Sequence, residues 1–355
     1  MKLSHFDYDI SSDVERLIQR SGVDPEIFRG KTVFVTGGTG FFGVWLLSAL
    51  LSIQKKLNGD LRLITLSRSP EQFVKTYPRH DFASHVEFVK GDVRNFKLDG
   101  VRVTHLVHMA ATNASETYAG EDQLNKLDML YVGTRNVLDQ CGGSLESVLF
   151  TSSGVAYGVN NNALISESDH SGPDTTQTGS ALGIGKIVAE YLIAYHAERF
   201  GYNYAIARCF AFAGQHLPLE LHYAFGNFIG NVLNAENIVI RSDGQYLRSY
   251  LYVGDAIAWM LRLLSAPNNQ IYNVGSPQPI TIENLARKIA AQASHPVEVL
   301  VQGRPTEVGN FQRTSYVPDI GKITATYPGL TEWTSLDEII GKMLSTNASE
   351  MPEHV

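Results

Sequence analysis

The chain has 355 residues, 44% of them hydrophobic and 18% charged, enough to bury a large core in one big domain or two entwined ones. A net charge of −7 with no basic block argues against nucleic acid as the main partner, and no apolar run reaches the ~18 residues that cross a bilayer, so no membrane partner is expected. The two cysteines, Cys141 and Cys209, stand in no CxxC or Cys/His cluster, so no metal site is visible and both are expected as buried reduced thiols.

Residues 1–30 read as a leader packed on the main body, with a short helix over Asp13–Arg20. Its first seven residues carry no apolar signal core, which predicts a cytoplasmic protein. Strand one, Thr32–Thr36, runs straight into Gly37-Gly38-Thr39-Gly40-Phe41-Phe42-Gly43, and an apolar helix pattern follows from Phe41 to Leu57. Strand, tight turn and helix in that order are what a dinucleotide-binding glycine motif requires. Gly37 permits the turn, Gly40 lets a pyrophosphate approach the backbone beside Thr39, and Gly43 lets the helix pack close. The helix N-terminus at Phe41 and Phe42 then offers N–H groups and a partial positive charge to the phosphates.

Strand two, Leu61–Leu66, ends in Ser67-Arg68, about 30 residues after Gly37. A carboxylate there would bond a ribose 2′-hydroxyl and repel a 2′-phosphate; a hydroxyl and an arginine do the reverse. NADP is therefore preferred over NAD, unless Arg68 merely points to solvent. Strand three, Val86–Val89, leads to Gly91-Asp92-Val93, and strand four, His105–His108, to Met109-Ala110-Ala111-Thr112. The small Ala110 and Ala111 let the backbone pass close to the middle of a cofactor. His108 reads as structural, as strand-end histidines usually are.

A helix over Gln123–Gln140, strand five at Ser147–Phe150, a polar loop from Asn160 to Ser180, a helix over Gly183–Phe200 and strand six at Tyr204–Arg208 complete a doubly wound parallel sheet of the α/β class. The long loop is of the kind that forms lids or stays disordered. Beyond Gly214 come a helix at Phe225–Leu233, strands at Ile238–Ile240 and Leu247–Val253, and a helix at Gly254–Leu264. A strand at Ile271–Val274 returns to the large sheet, Thr281 caps a helix reaching Ala293, Val297–Val301 is a strand, and Leu336–Leu344 is the last helix. The expected division is a leader (1–30), a Rossmann-type dinucleotide domain (31–214 with 250–275), a smaller mixed substrate domain (215–249 with 276–345) and a tail (346–355).

The glycine turn, Asp92, Ser153 with Tyr157-Gly158, Lys186, Arg208, Arg248-Ser249-Tyr250 and Tyr272-Asn273-Val274-Gly275 together resemble the extended short-chain dehydrogenase/reductases that remodel nucleotide sugars. Tyr316-Val317-Pro318-Asp319 extends the likeness towards the C-terminus. The resemblance implies a nucleoside diphosphate sugar as substrate and transient hydride transfer at a sugar carbon, as in epimerases and dehydratases. It implies that Asp92 and Val93 meet the adenine, that Ser153 holds the reacting oxygen and that Lys186 binds the nicotinamide ribose. Arg248 and Arg304 would clamp the diphosphate, Asn227 would bind diphosphate or sugar, and Thr112, Asn113 and Ser115 would reach sugar hydroxyls. Relatives often form a homodimer through a four-helix bundle, for which the helices at Gln123–Gln140 and Gly183–Phe200 are the candidates.

The sequence departs from that pattern at two positions. The Tyr-x-x-x-Lys motif reads Leu182-Gly183-Ile184-Gly185-Lys186, and leucine carries no proton. The helix asparagine of the family reads Leu130. Three readings stay open: another proton carrier among Lys186, Ser153, Tyr157, His108, Asp169 and His170; substrate-assisted proton transfer; or an inactive binding protein that keeps the fold. The acidic pair that dehydratases carry after the serine is Gly154-Val155 here, which favours epimerisation, with an NADPH-dependent 4-keto-sugar reductase as the alternative.

Overall fold

The strand that ends in the glycine turn lies at the middle of a seven-stranded parallel sheet. The computed structural model describes residues 8–111, 122–160, 162–220, 223–303 and 315–345. The sheet comprises β1 (Lys31–Thr36), β2 (Leu61–Ser67), β3 (Glu87–Lys90), β4 (His105–His108), β5 (Ser147–Ser153), β6 (Asn203–Cys209) and β11 (Gln270–Val274), in the spatial order β11-β6-β5-β4-β1-β2-β3. The order reverses between β1 and β4, the switch point at which such sheets open a ligand crevice.

Period-two alternation sends the strand side chains to two cores. Val33, Val35, Leu63, Val107 and Leu149 share one cluster with α1 (Ser11–Ser21) and α2 (Phe41–Lys56). Phe34, Ile64, Leu106, Val148 and Phe150 face α3 (Gln123–Cys141) and α4 (Ala181–Phe200). The leader helix thus packs on the body as expected: its Val14, Leu17 and Ile18 are buried.

The second half adds α5 (Ala224–Leu233), α6 (Val253–Ser265), α7 (Ile282–Ala291) and α8 (Leu336–Leu344). Thr281 caps α7 by accepting the Asn284 N–H, and Ser335 forms a capping box with Glu338 on α8. Small sheets fill the gaps: β7 (Phe212–Ala213) pairs with β10 (Leu251–Tyr252), and β8 (Ile238–Ile240) with β13 (Val299–Val301). β9 (Leu247–Arg248) lies between β12 (Ile280–Thr281) and β14 (Ser315–Tyr316).

Two expectations are corrected. The single strand expected at Leu247–Val253 is two: β9 and β10 pair in different sheets, and Ser249-Tyr250 carries the chain between them. The polar loop before α4 is a packed segment and no lid. Asn273 donates from its side chain to the Ile165 carbonyl, its N–H bonds Glu167, and Ile165 bridges to Pro318. Asp169 gathers Asn160, Asn162 and the Ser166 N–H, while Gly158 fits so closely under Gly172 that a Cβ would lie 1.8 Å from its carbonyl oxygen.

Candidate active site

A cleft of about 1060 Å³ opens at the carboxyl ends of the strands. It stands at the top of the ~300–1000 Å³ range of small-molecule pockets. Gly37, Thr39, Gly40, Phe41, Phe42, Ser67, Arg68, Asp92, Val93, Ala110, Ala111 and Ser153 all line it. From the second half come Arg248, Tyr250 and Tyr316.

The glycine turn is built to hold something against the sheet. Gly37 has φ +73°, and a Cβ there would lie 2.7 Å from the Met109 carbonyl carbon. Any larger residue would push β1 and β4 apart. A Cβ on Gly40 meets only the Gly37 oxygen at 3.5 Å, so the space in front of α2 is open. Gly43 lies outside the cleft wall and packs the helix onto the turn backbone at Gly38, closer than the expected contact with the strand. The first-turn N–H groups of α2 have no intrahelical acceptor, and Gly40 brings no side-chain cap. This cradle fits a pyrophosphate.

His108 supports the cradle from below. Its Nδ1 lies 2.6 Å from Thr36 Oγ1, its Nε2 lies 2.9 Å from Thr134 Oγ1, and Thr36 in turn accepts the Ala110 N–H. Burial pushes the ring pKa down to about 3, which keeps it neutral. His108 therefore acts as a strut, and the structural reading of this histidine is the one the geometry fits.

At the other end of the turn, Arg68 is exposed on the cleft wall, and Ser67 Oγ accepts the Ser69 N–H at 3.2 Å. Asp92 is gripped by Arg94 through Nε at 2.8 Å and Nη2 at 3.0 Å, which holds its carboxyl below the usual range. Sequence reasoning gave Arg94 no role, because its partner is only two residues away and the pair reads as a turn.

Lys186 does not reach the cleft wall. It is buried, donates to the Thr151 carbonyl at 2.6 Å and lies 4.8 Å from the Phe150 ring centre. Burial lowers its pKa to about 8. Leu130 explains the apolar helix position: it is fully buried, and a Cβ on Gly185 would lie 2.6 Å from its Cδ1. The leucine fills the notch that Gly185, the residue just before Lys186, leaves between α3 and α4.

Three expected site residues are placed elsewhere. Tyr157 is buried off the cleft. Its hydroxyl donates to Asn273 Oδ1 at 2.7 Å, and its ring lies 4.4 Å from the Arg208 guanidinium, itself paired with Glu190 at 2.7 Å. Burial raises the phenol to about 12, and with its hydroxyl committed to Asn273 away from the cleft lining, Tyr157 staples the polar loop to β11. Asn227 stands behind the cleft wall and donates to the Leu219 carbonyl at 2.9 Å. Asp169 serves its own turn, as described above. Thr112, Asn113, Ser115 and Arg304 lie outside the described residues.

Tyr250 and Tyr316 are the residues sequence reasoning missed. Tyr250 lines the cleft and packs edge-on against Phe225 at 5.1 Å. Tyr316 faces Ser153 across the cleft floor, with the two side-chain oxygens 3.5 Å apart. Arg248 lies beyond it, 5.7 Å from its ring centre. Both cysteines are free and buried, and burial pushes their thiols up to about 12.

A parallel doubly wound sheet with a glycine turn at its switch point and a cleft opening over that turn defines a Rossmann-type dinucleotide-binding fold. The chain belongs to the NAD dependent epimerase/dehydratase family, which matches residues 33–275, within the extended short-chain dehydrogenase/reductases. Among curated relatives it is 25% identical over 291 residues to UDP-glucuronic acid decarboxylase 6 of Arabidopsis thaliana, covering 82% of this chain and 81% of that one. Among solved structures it is similar to the UDP-glucose 4-epimerase of Thermotoga maritima with UDP-glucose, at a TM-score of 0.70 and 20% identity, covering 88% and 97% of the two chains. It is also similar to the UDP-glucose 4-epimerase of Thermus thermophilus in complex with NAD, at a TM-score of 0.67 and 23% identity over 88% and 97%. At these identities the structural likeness speaks for the fold.

Proposed function

We propose that the protein is a UDP-sugar-converting enzyme of the epimerase or decarboxylase kind, working with a nicotinamide dinucleotide held in the glycine cradle. The observation that carries the reading is the joint cleft. Gly37, Gly40 and the α2 N-terminus line one part of it, and Arg248 and Ser153 line another. The names of its relatives point the same way. When bound, the dinucleotide supplies a hydride acceptor. The chain does the rest. The Arg248 guanidinium suits the diphosphate, for which its planar fork is the better cation. Ser153 presents a hydroxyl to the reacting sugar oxygen, and its Oγ already accepts the Val155 N–H at 3.3 Å, which fixes its direction. Lys186 places a positive charge beneath Thr151.

Within this reading the chain divides into a dinucleotide domain and a smaller substrate domain, and NADP is the preferred cofactor because Arg68 and no carboxylate follows β2. A homodimer through α3 and α4 belongs to the same proposal. The rival reading, a binding protein that has lost catalysis, rests on Leu182. The test is to incubate the protein with UDP-glucose and UDP-glucuronic acid, with NAD⁺ or NADP⁺ present, and to identify the nucleotide sugars by NMR. Appearance of a 4-epimer or a decarboxylated pentose sugar is expected. Binding of both sugars with conversion of neither would leave the rival.

A further inference from the structure

Leu182 leaves the reacting sugar oxygen without the usual proton carrier, and among the described residues the ionisable hydroxyl beside Ser153 is that of Tyr316. Tyr316 Oη lies 3.5 Å from Ser153 Oγ and 3.5 Å from the Cys209 carbonyl oxygen. It arrives from β14, a two-residue strand paired with β9, in which Tyr316 stands opposite Arg248. The ring packs on Phe210 at 4.8 Å and lies 5.7 Å from the Arg248 guanidinium carbon. A guanidinium on a diphosphate would thus leave the attached sugar next to the phenol.

The second observation is at Gly154. A Cβ there would lie 2.8 Å from Tyr316 Oη and 3.0 Å from two Phe210 ring carbons. The glycine follows Ser153 directly, and its missing side chain is the room the hydroxyl occupies. A site that carried an acidic residue at this position would have no space for the tyrosine. The two features are therefore alternatives, and this chain has taken the tyrosine.

We propose that Tyr316 is the catalytic acid–base of this site, exchanging a proton with the sugar oxygen that Ser153 holds. The inference rests on the UDP-sugar reading above. In the reducing direction a ketone carbon of the sugar accepts a hydride from a reduced nicotinamide dinucleotide, which is thereby oxidised. The carbonyl π pair takes the Tyr316 hydroxyl proton, and water reprotonates the phenolate. In the oxidising direction the phenolate accepts the sugar hydroxyl proton as the carbon gives up its hydride. Burial holds the phenol up at about 12, so at neutral pH it stands ready as the donor, and the oxidising half-reaction draws on a small phenolate fraction. The 3.5 Å spacing suits an unliganded site, where catalytic hydrogen bonds are long and tighten around the substrate.

The experiment compares wild type, Tyr316→Phe and Tyr316→Phe with Leu182→Tyr. Titration calorimetry with UDP-glucose and with UDP reads binding, and absorbance near 340 nm after mixing with UDP-glucose and oxidised cofactor reads the half-reaction. Tyr316→Phe is expected to bind UDP like wild type and UDP-glucose about fivefold more weakly, the worth of one hydrogen bond. Its half-reaction is expected to fall about 10²- to 10⁴-fold. It is also expected to lack the rise of about tenfold per pH unit predicted for wild type from pH ~6 to ~8. Restoring a phenol at position 182 should recover part of the rate. Equal half-reaction rates in wild type and Tyr316→Phe would overturn the role of Tyr316 and leave the function standing. Wild type that fails to bind UDP-glucose would overturn both.

Discussion

Lys186 is a charge kept in the interior at a cost. Its only direct polar partner among the described contacts is the Thr151 carbonyl, and burial takes its pKa from 10.5 to about 8. Between those two values the unfolded chain binds more protons than the native one, so stability rises with pH across that window. Below about 8 the penalty is present in full. Lys186→Met, which keeps the volume and removes the charge, is expected to raise the unfolding free energy read from urea titration at neutral pH by about 1 kcal/mol or more. It should also flatten the gain expected of wild type between pH 8 and 10.5, while activity falls. A variant less stable at neutral pH would contradict the account. The residue scale is also where the sequence was hardest to read. Lys186 and Ser153 stood in recognisable strings, and the loss of the proton carrier at Leu182 was plain. Tyr316 was not legible as part of the site, because it meets Ser153 across 163 residues of chain. Nor could Tyr157 be excluded before its partner Asn273, 116 residues away, came into view.

At the scale of elements, periodicity and glycine punctuation placed most of the fold. The helix at Leu336–Leu344 and the strand at His105–His108 have their expected limits. Errors fell where pairing decides, as at Leu247–Val253, whose two ends join different sheets. The helix pair α3 and α4 carries a feature that packing within one chain does not explain. Leu124 is 67% exposed, Tyr191 66% and Tyr195 52%, and the two tyrosine rings stack at 6.2 Å. Large apolar groups gathered on one helix pair mark an interface more often than a solvated face. A second copy packing there would bury them. Tyr191→Asp combined with Tyr195→Asp is expected to shift sedimentation from dimer to monomer without unfolding the chain. A wild type that sediments as a monomer at micromolar concentration would contradict the proposed homodimer.

For the whole molecule, one cleft does the work of joining the two halves of the sequence. The glycine turn comes from the first 45 residues, and Arg248 and Tyr316 come from the last 110, yet all line the same opening. The α/β class and the cradle could be read from the sequence because they depend on local strings such as Gly37 to Gly43. How the second half closes over the cleft could not, because the strands of its small sheets are two or three residues long and their pairing is set by tertiary contacts. The central claim is that the cradle holds a nicotinamide dinucleotide. The most direct measurement is to denature the purified protein and identify the released nucleotide by mass spectrometry and absorbance near 340 nm. The account predicts a dinucleotide in near-stoichiometric amount, NADP rather than NAD if Arg68 meets a 2′-phosphate. No released nucleotide, together with no binding of NADPH or NADH on titration, would contradict it.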